Sequence, residues 1–236
     1  MVNKKRIPVI VVIFFMLCAL PGLAQEEETE ARWNRWNIGT RHGGGVAFVF
    51  EPNDAFTTDT NPSLNFITGY TGGFSIQQYS QPNFGLQADI MFVEKGWIEN
   101  IRDTITPFDP VGEFTQNLSY IDVPIMAHGY VGKRNFRIYL EAGVLLSYIF
   151  DHNSQLDPGI GQERVTYRFV EGRDRRFNIG VAGGAGFEVV TAIGMFQLGG
   201  RYSLGFTSVI DKNITQIPNP LLMNAVGVTL GYYVQF

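Results

Sequence analysis

Three histidines, His42, His128 and His152, are the only imidazoles in the 236 residues. A general base working near neutral pH would have to be one of them or a perturbed carboxylate. His152 follows Asp151 at the start of an expected outer loop, where the base of a surface protease or lipid deacylase would sit. A nucleophilic mechanism also needs a hydroxyl within reach of that base, and the sequence ties neither a serine nor a second acidic pair to His152. His128 and His42 fall inside alternating, strand-like stretches. The spacing therefore predicts no catalytic residue.

Other chemistry fails in similar ways. Asp151, Asn153, Gln155 and Asp157 recur at every second position, as in a calcium loop. Leu156 stands where that loop needs glycine, and Gln162 where it needs glutamate. The expectation is a solvated turn ending in Pro158-Gly159. Gly183-Gly184-Ala185-Gly186 lacks the Lys-Ser/Thr ending of a phosphate loop and lies within a strand pattern; its small residues should leave room for neighbours such as Arg201. The sequons at Asn117 and Asn213 carry weight only in a cell that glycosylates them. Cys18 is the one cysteine, and it falls in a segment expected to be removed, so no thiolate site is expected. No cofactor and no metal site are predicted.

What the remaining ionisable residues share is a phase. Residues 226–236 alternate strictly, with Val226, Val228, Leu230, Tyr232, Val234 and Phe236 on one face and Gly227, Thr229, Gly231, Tyr233 and Gln235 on the other. A period of two sends alternate side chains to opposite faces of a strand. An apolar face about 9–11 residues long suits lipid rather than water. The same phase, followed along the chain, turns Arg41, Asp89, Lys95, Asp122, His128, Arg137, Glu141, Glu188 and Arg201 away from the apolar face. Charges gathered there must pair or be hydrated, so a structural network is expected in preference to an ion path.

Eight segments carry the pattern: about 37–50, 64–79, 84–97, 118–131, 136–150, 176–190, 195–206 and 226–236. Short turns are expected at 80–83, 132–135 and 191–194, and long connections at 51–63, 98–117, 151–175 and 207–221. With an even strand count, all short turns fall at one end and all long loops at the other, as in outer-membrane barrels. The predicted fold is an all-β, eight-stranded antiparallel up-and-down transmembrane β-barrel over 36–236, its final strand pairing with the first. Two aromatic girdles are expected: Trp33, Trp36, Tyr130, Tyr232 and Phe236 at the periplasmic rim, and Trp97, Tyr120, Tyr148, Phe150 and Phe206 at the outer rim. Pro124 removes a ladder donor inside the fourth strand and predicts a bulge or kink. A secreted sandwich fits less well, because its outward face would be polar.

Upstream, Lys4, Lys5 and Arg6 precede an apolar run at 7–20 and a Gly22-Leu23-Ala24 cleavage site. This reads as a signal peptide at 1–24, followed by a short periplasmic linker at 25–35. Its removal moves the formal charge from −4 to −7. Downstream, no apolar run is long enough for a membrane helix. No clustered basic face suggests nucleic acid.

Several short motifs then resemble the PorT-like outer-membrane β-barrel family of Bacteroidetes. They are Phe66-x-x-Gly69-Tyr70-x-x-Gly73, Glu94-Lys95-Gly96, Tyr120-Ile121-Asp122-Val123-Pro124, Tyr139-Leu140-Glu141-Ala142-Gly143 and Arg201-Tyr202-Ser203-Leu204-Gly205. The chain departs from the family at Gly143-Val144, where Gly-Pro is common, and at Gly45-Val46-Ala47-Phe48, where an Asn-x-Ser pattern is usual. The resemblance implies an integral protein of the bacterial outer membrane, and the family is named for a gliding and type IX secretion component.

The expected role is non-enzymatic: a structural or envelope-assembly barrel with a filled lumen and interacting outer loops. The alternatives are a narrow channel or type IX secretion-associated component, then an enzyme modifying lipid or protein. Expected partners are outer-membrane lipid and lipopolysaccharide, envelope proteins, and the barrel-assembly machinery, whose recognition signal the terminal aromatic strand resembles.

Overall fold

The computed structural model describes residues 35–50, 65–102, 110–133, 135–157, 165–168, 176–208 and 222–236. The expected signal peptide, the linker up to residue 34, Trp33 and the central parts of the long connections lie outside the described residues. The strands are β1 (Arg35–Phe50), β2 (Asn65–Gln81), β3 (Phe84–Arg102), β4 (Pro110–Lys133) and β5 (Phe136–Asp157). They continue with β6 (Val165–Arg168), β7 (Phe177–Thr191), β8 (Gly194–Ser208) and β9 (Leu222–Gln235).

Eight of these strands form a ring. Each pairs antiparallel with its neighbour, β4 with β5, β5 with β7, and β9 back to β1. The four-residue β6 stands outside the ring, paired to residues 153–156 of β5. One row of register partners runs from Asn37 through Gln77, Gln87, Met126, Gly143, Ala182, Ser203 and Ala225. It returns to β1 at Ala47, ten residues beyond its start. That stagger is the shear of a closed barrel and sets the strands at about 40° to its axis.

The alternation places side chains as expected. Phe74 is 70% and Leu140 67% exposed on the outer surface, whereas Tyr139, Met126 and His128 are fully buried inside. An apolar exterior gains nothing from hiding against itself in lipid. The wall is held instead by its ladders, which satisfy the backbone where no water can.

Three short hairpins close one end, at Pro82-Asn83, around Asn135 and at Ala192-Ile193. Gly132 (φ 143°) and Gly194 (φ 144°) supply the positive φ that two of them need.

The structure corrects four expectations. The long connections begin later than the lipid-facing pattern suggested, because β3, β4 and β5 continue pairing to Arg102, from Pro110 and to Asp157. Asp151–Asp157 is therefore strand, not a solvated turn. The Pro124 bulge is absent: pairs are missing at Val123-Pro124 opposite Asp89-Ile90, but the β3–β4 ladder resumes in the same register. A bulge does occur nearby, where Phe150 is extra between the pairs Ser119–Asp151 and Tyr120–Ile149. Finally, Trp97 and Tyr120 point inward and are buried, leaving Tyr148, Phe150 and Phe206 exposed on the outer rim.

Candidate functional site

All the charged residues assigned to the interior are inside, and they are stacked in layers. Lowest are the Asn37–Gln77–Gln87 amide chain and a group around Glu188. His128 Nε2 lies 2.9 Å from Glu188 Oε1, and Gln197 Nε2 donates to the same oxygen at 3.0 Å. Arg137 lies 4.0 Å from Glu188 and over the Tyr130 ring.

Above them Arg41, Asp89, Arg201 and Glu141 close a ring of alternating charge. Arg201 reaches Glu141 through Nε at 2.7 Å and Asp89 through Nη1 at 2.8 Å. Arg41 Nη1 lies 3.3 Å from Glu141 and 3.6 Å from Asp89, while its Nη2 donates to Thr229 at 3.0 Å. Ser75 and Gln87 also donate to Asp89. A buried charge is tolerable when it is both paired and hydrogen-bonded, and each carboxylate of this ring meets both conditions.

The glycines opposite make the ring possible. A Cβ on Gly184 would meet Glu141 Oε1 at 2.9 Å, and one on Gly186 would meet the Tyr139 ring at 2.7 Å. The small-residue run of β7 thus clears space for Glu141 and Tyr139, whereas no Arg201 atom is among the nearest neighbours of Gly183, Gly184 or Gly186.

Higher still, Lys95 Nζ pairs with Asp122 Oδ2 at 2.6 Å and lies over the Tyr120 ring. An apolar cluster then caps the interior, built from Ala47, Val49, Trp97, Leu118, Tyr120, Ile149 and Met223. Beyond it His152 Nε2 lies 2.6 Å from Ser154 Oγ and 3.1 Å from Gln116 Oε1, all three side chains buried. This corrects the placement of His152 in a loop.

The Ser154 contact was in the sequence as a spacing of two residues. It becomes legible only once this segment is strand, which points both side chains the same way. Among the described residues no group of three or more His, Cys, Asp and Glu is placed to hold a metal.

A further irregularity lies in the wall. Between β2 and β3 the pairs stop at Thr71–Val93 and resume at Phe66–Trp97 with a register shift. Across this seam the Tyr70 N–H donates to Glu94 Oε2 at 3.2 Å. Tyr70 Oη is hydrogen-bonded to His42 Nδ1 at 2.7 Å. His42, Tyr70 and Glu94 all lie on the outer face, so His42 is remote from the interior charges and from His152. The His42–Tyr70 contact lies on the regular β1–β2 ladder, but strand patterning gave no sign of Glu94 joining it, because that approach depends on the mismatch between β2 and β3.

The profile of the outer membrane protein beta-barrel domain family matches residues 23–211. The chain belongs to that family. Its members' place in the outer membrane sets the apolar exterior against lipid and lipopolysaccharide. The family match stops short of β9, which the register with β1 adds to the same ring.

The fold is also similar to solved barrels. Neisserial surface protein A is 11% identical, with 86% of this chain and 97% of that chain covered and a TM-score of 0.42. OprG from Pseudomonas aeruginosa is 13% identical, with 86% and 96% covered and a TM-score of 0.43. The outer membrane protease OmpT from Escherichia coli is 10% identical, with 90% and 99% covered and a TM-score of 0.37. No curated protein matches the chain in sequence.

Proposed function

We propose that this chain is a non-enzymatic, non-conducting outer-membrane barrel that acts through its outer end as a structural or envelope-assembly component. The supporting observation is the double closure of the lumen. The Arg41–Asp89–Arg201–Glu141 ring fills its middle and the Trp97–Tyr120–Met223 cluster caps it above. An eight-stranded barrel has room inside for little beyond such side chains. Planar-bilayer recording of the refolded protein should therefore give no unitary current above background; a reproducible unitary conductance would replace this reading with the narrow channel.

The PorT-like resemblance makes association with a gliding or type IX secretion assembly the finer form of this proposal. Affinity capture from the native envelope tests it, and capture of no envelope protein counts against it. Tyr232 and Tyr233 of β9, with Phe236 directly after it, support delivery by barrel-assembly machinery. Phe236→Ser should slow insertion without altering the refolded barrel.

A second reading, an enzyme at the outer mouth, is favoured by the Ser154–His152 contact alone. An activity of the purified protein that survives in wild type and is lost in both His152→Ala and Ser154→Ala would establish it.

A further inference from the structure

Between the charged ring and the apolar cap the lumen is not filled. A cavity of about 80 Å³ lies there, with Arg201 and Thr229 below, the Lys95–Asp122 pair at its side, and Met91, Leu145 and Ala182 as apolar walls. Two polar atoms of these lining residues are buried without a hydrogen-bond partner, Arg201 Nη2 and Asp122 Oδ1. The remaining atoms of both groups are engaged, Arg201 through Nε and Nη1 and Asp122 through Oδ2. A buried donor or acceptor left without a partner is destabilising unless something meets it.

We propose that this cavity is a binding site for a small, neutral molecule carrying a hydroxyl group on a short apolar body. A hydroxyl can both accept from a guanidinium such as that of Arg201 and donate to a carboxylate such as that of Asp122, the two charged groups of the lining that keep a spare atom. The guest is neutral because Arg41 and Arg201 already face Asp89 and Glu141, and Lys95 faces Asp122. An added ion would be buried without a counter-charge. It has an apolar body because Met91, Leu145 and Ala182 offer a water none of the roughly 2–4 polar partners it needs, the lining hydroxyls being those of Thr71, Ser203 and Thr229. It is small because one water needs about 10–15 Å³, so the chamber holds only a handful of heavy atoms.

The seam is the entrance. Gly69, Tyr70 and Thr71 of β2 and Val93 and Glu94 of β3 all line the cavity, where the ladder between these strands is interrupted. The ring blocks the way below and the apolar cluster blocks it above. The guest therefore exchanges with the membrane, and the hydrogen bond from Tyr70 N–H to Glu94 is the crosspiece it displaces.

The test uses n-butanol as probe and the full barrel in bicelles with methyl-labelled Met and Leu. The Met91 and Leu145 methyl shifts should move and saturate with added butanol. They should not saturate in Ala182→Leu, which fills the chamber while leaving heat-modifiable gel migration intact. Ala225→Leu fills it from another strand and serves if the first variant does not fold. Butyrate should not compete. Glu94→Ala should speed exchange of the bound probe several-fold at an unchanged saturating concentration. A linear response shared by wild type and the filled variants would mean partition into lipid and overturn the site. Water contacts persisting at Met91 under saturating butanol would do the same, and equal binding of butyrate would overturn its neutrality. An unchanged exchange rate in Glu94→Ala would overturn the lateral entrance.

Discussion

The lower lumen is closed by charge and the upper lumen by apolar packing. In the ring, four charged groups hold one another at 2.7–3.6 Å, with both carboxylates fully buried. In the cap, Trp97, Tyr120, Leu118, Ile149 and Met223 interdigitate with no ionic partner to lose except Lys95 at its lower edge. Opposed charges are unforgiving of a missing member, since what remains is an uncompensated buried ion. Packed side chains lose only the contacts of the atoms removed, with some relaxation. The barrel thus puts its most brittle layer deep in the membrane and its more tolerant one near the mouth.

The largest effect should come from Arg201→Met. It leaves Arg41 as the one guanidinium between Asp89 and Glu141, and should cost about 3–5 kcal/mol in denaturant unfolding of the detergent-folded barrel. Trp97→Ala in the cap should cost about 3 kcal/mol. Its loss should not change when salt is raised, and equal costs with equal salt response would erase the contrast between the layers.

Glu94→Ala lies in neither layer. It should cost about 1 kcal/mol or less globally but open the seam, read as faster hydrogen exchange of the Tyr70 amide against unchanged exchange at Phe74. Smallest should be Leu198→Val, facing lipid, at under about 1 kcal/mol. A shift as large as that of Arg201→Met would mean that the interior network contributes nothing special.

How far the sequence anticipates these layers depends on the physics behind each one. The inward phase of Arg41, Asp89, Glu141 and Arg201 is legible because a period of two is rigid once one face must meet lipid. Trp97 and Tyr120 share that inward phase, yet the preference of aromatic rings for headgroups argues for the rim; in the barrel the phase prevails. The extension of β3, β4 and β5 past the membrane is hidden because strands in water need no apolar face. The seam is hidden for another reason: Phe66–Thr71 and Val93–Trp97 each look regular alone, and only their pairing is out of step. The Ser154–His152 contact is hidden behind the calcium-like spacing of Asp151 to Asp157, which the strand itself explains.

The pairing of β9 with β1 spans fourteen residue positions, from Asn37–Gln235 to Phe50–Leu222. The two strands that meet there are the first and last of the ring to leave the ribosome. Contacts of such long sequence separation form slowly, and until they form both edges stay open to the wrong neighbour. Arg41 on β1 gains its Thr229 partner on β9 only at that moment, although its carboxylate partners Asp89 and Glu141 stand on β3 and β5. Until β9 is in place, the side of Arg41 that faces Thr229 is therefore an open edge of the interior.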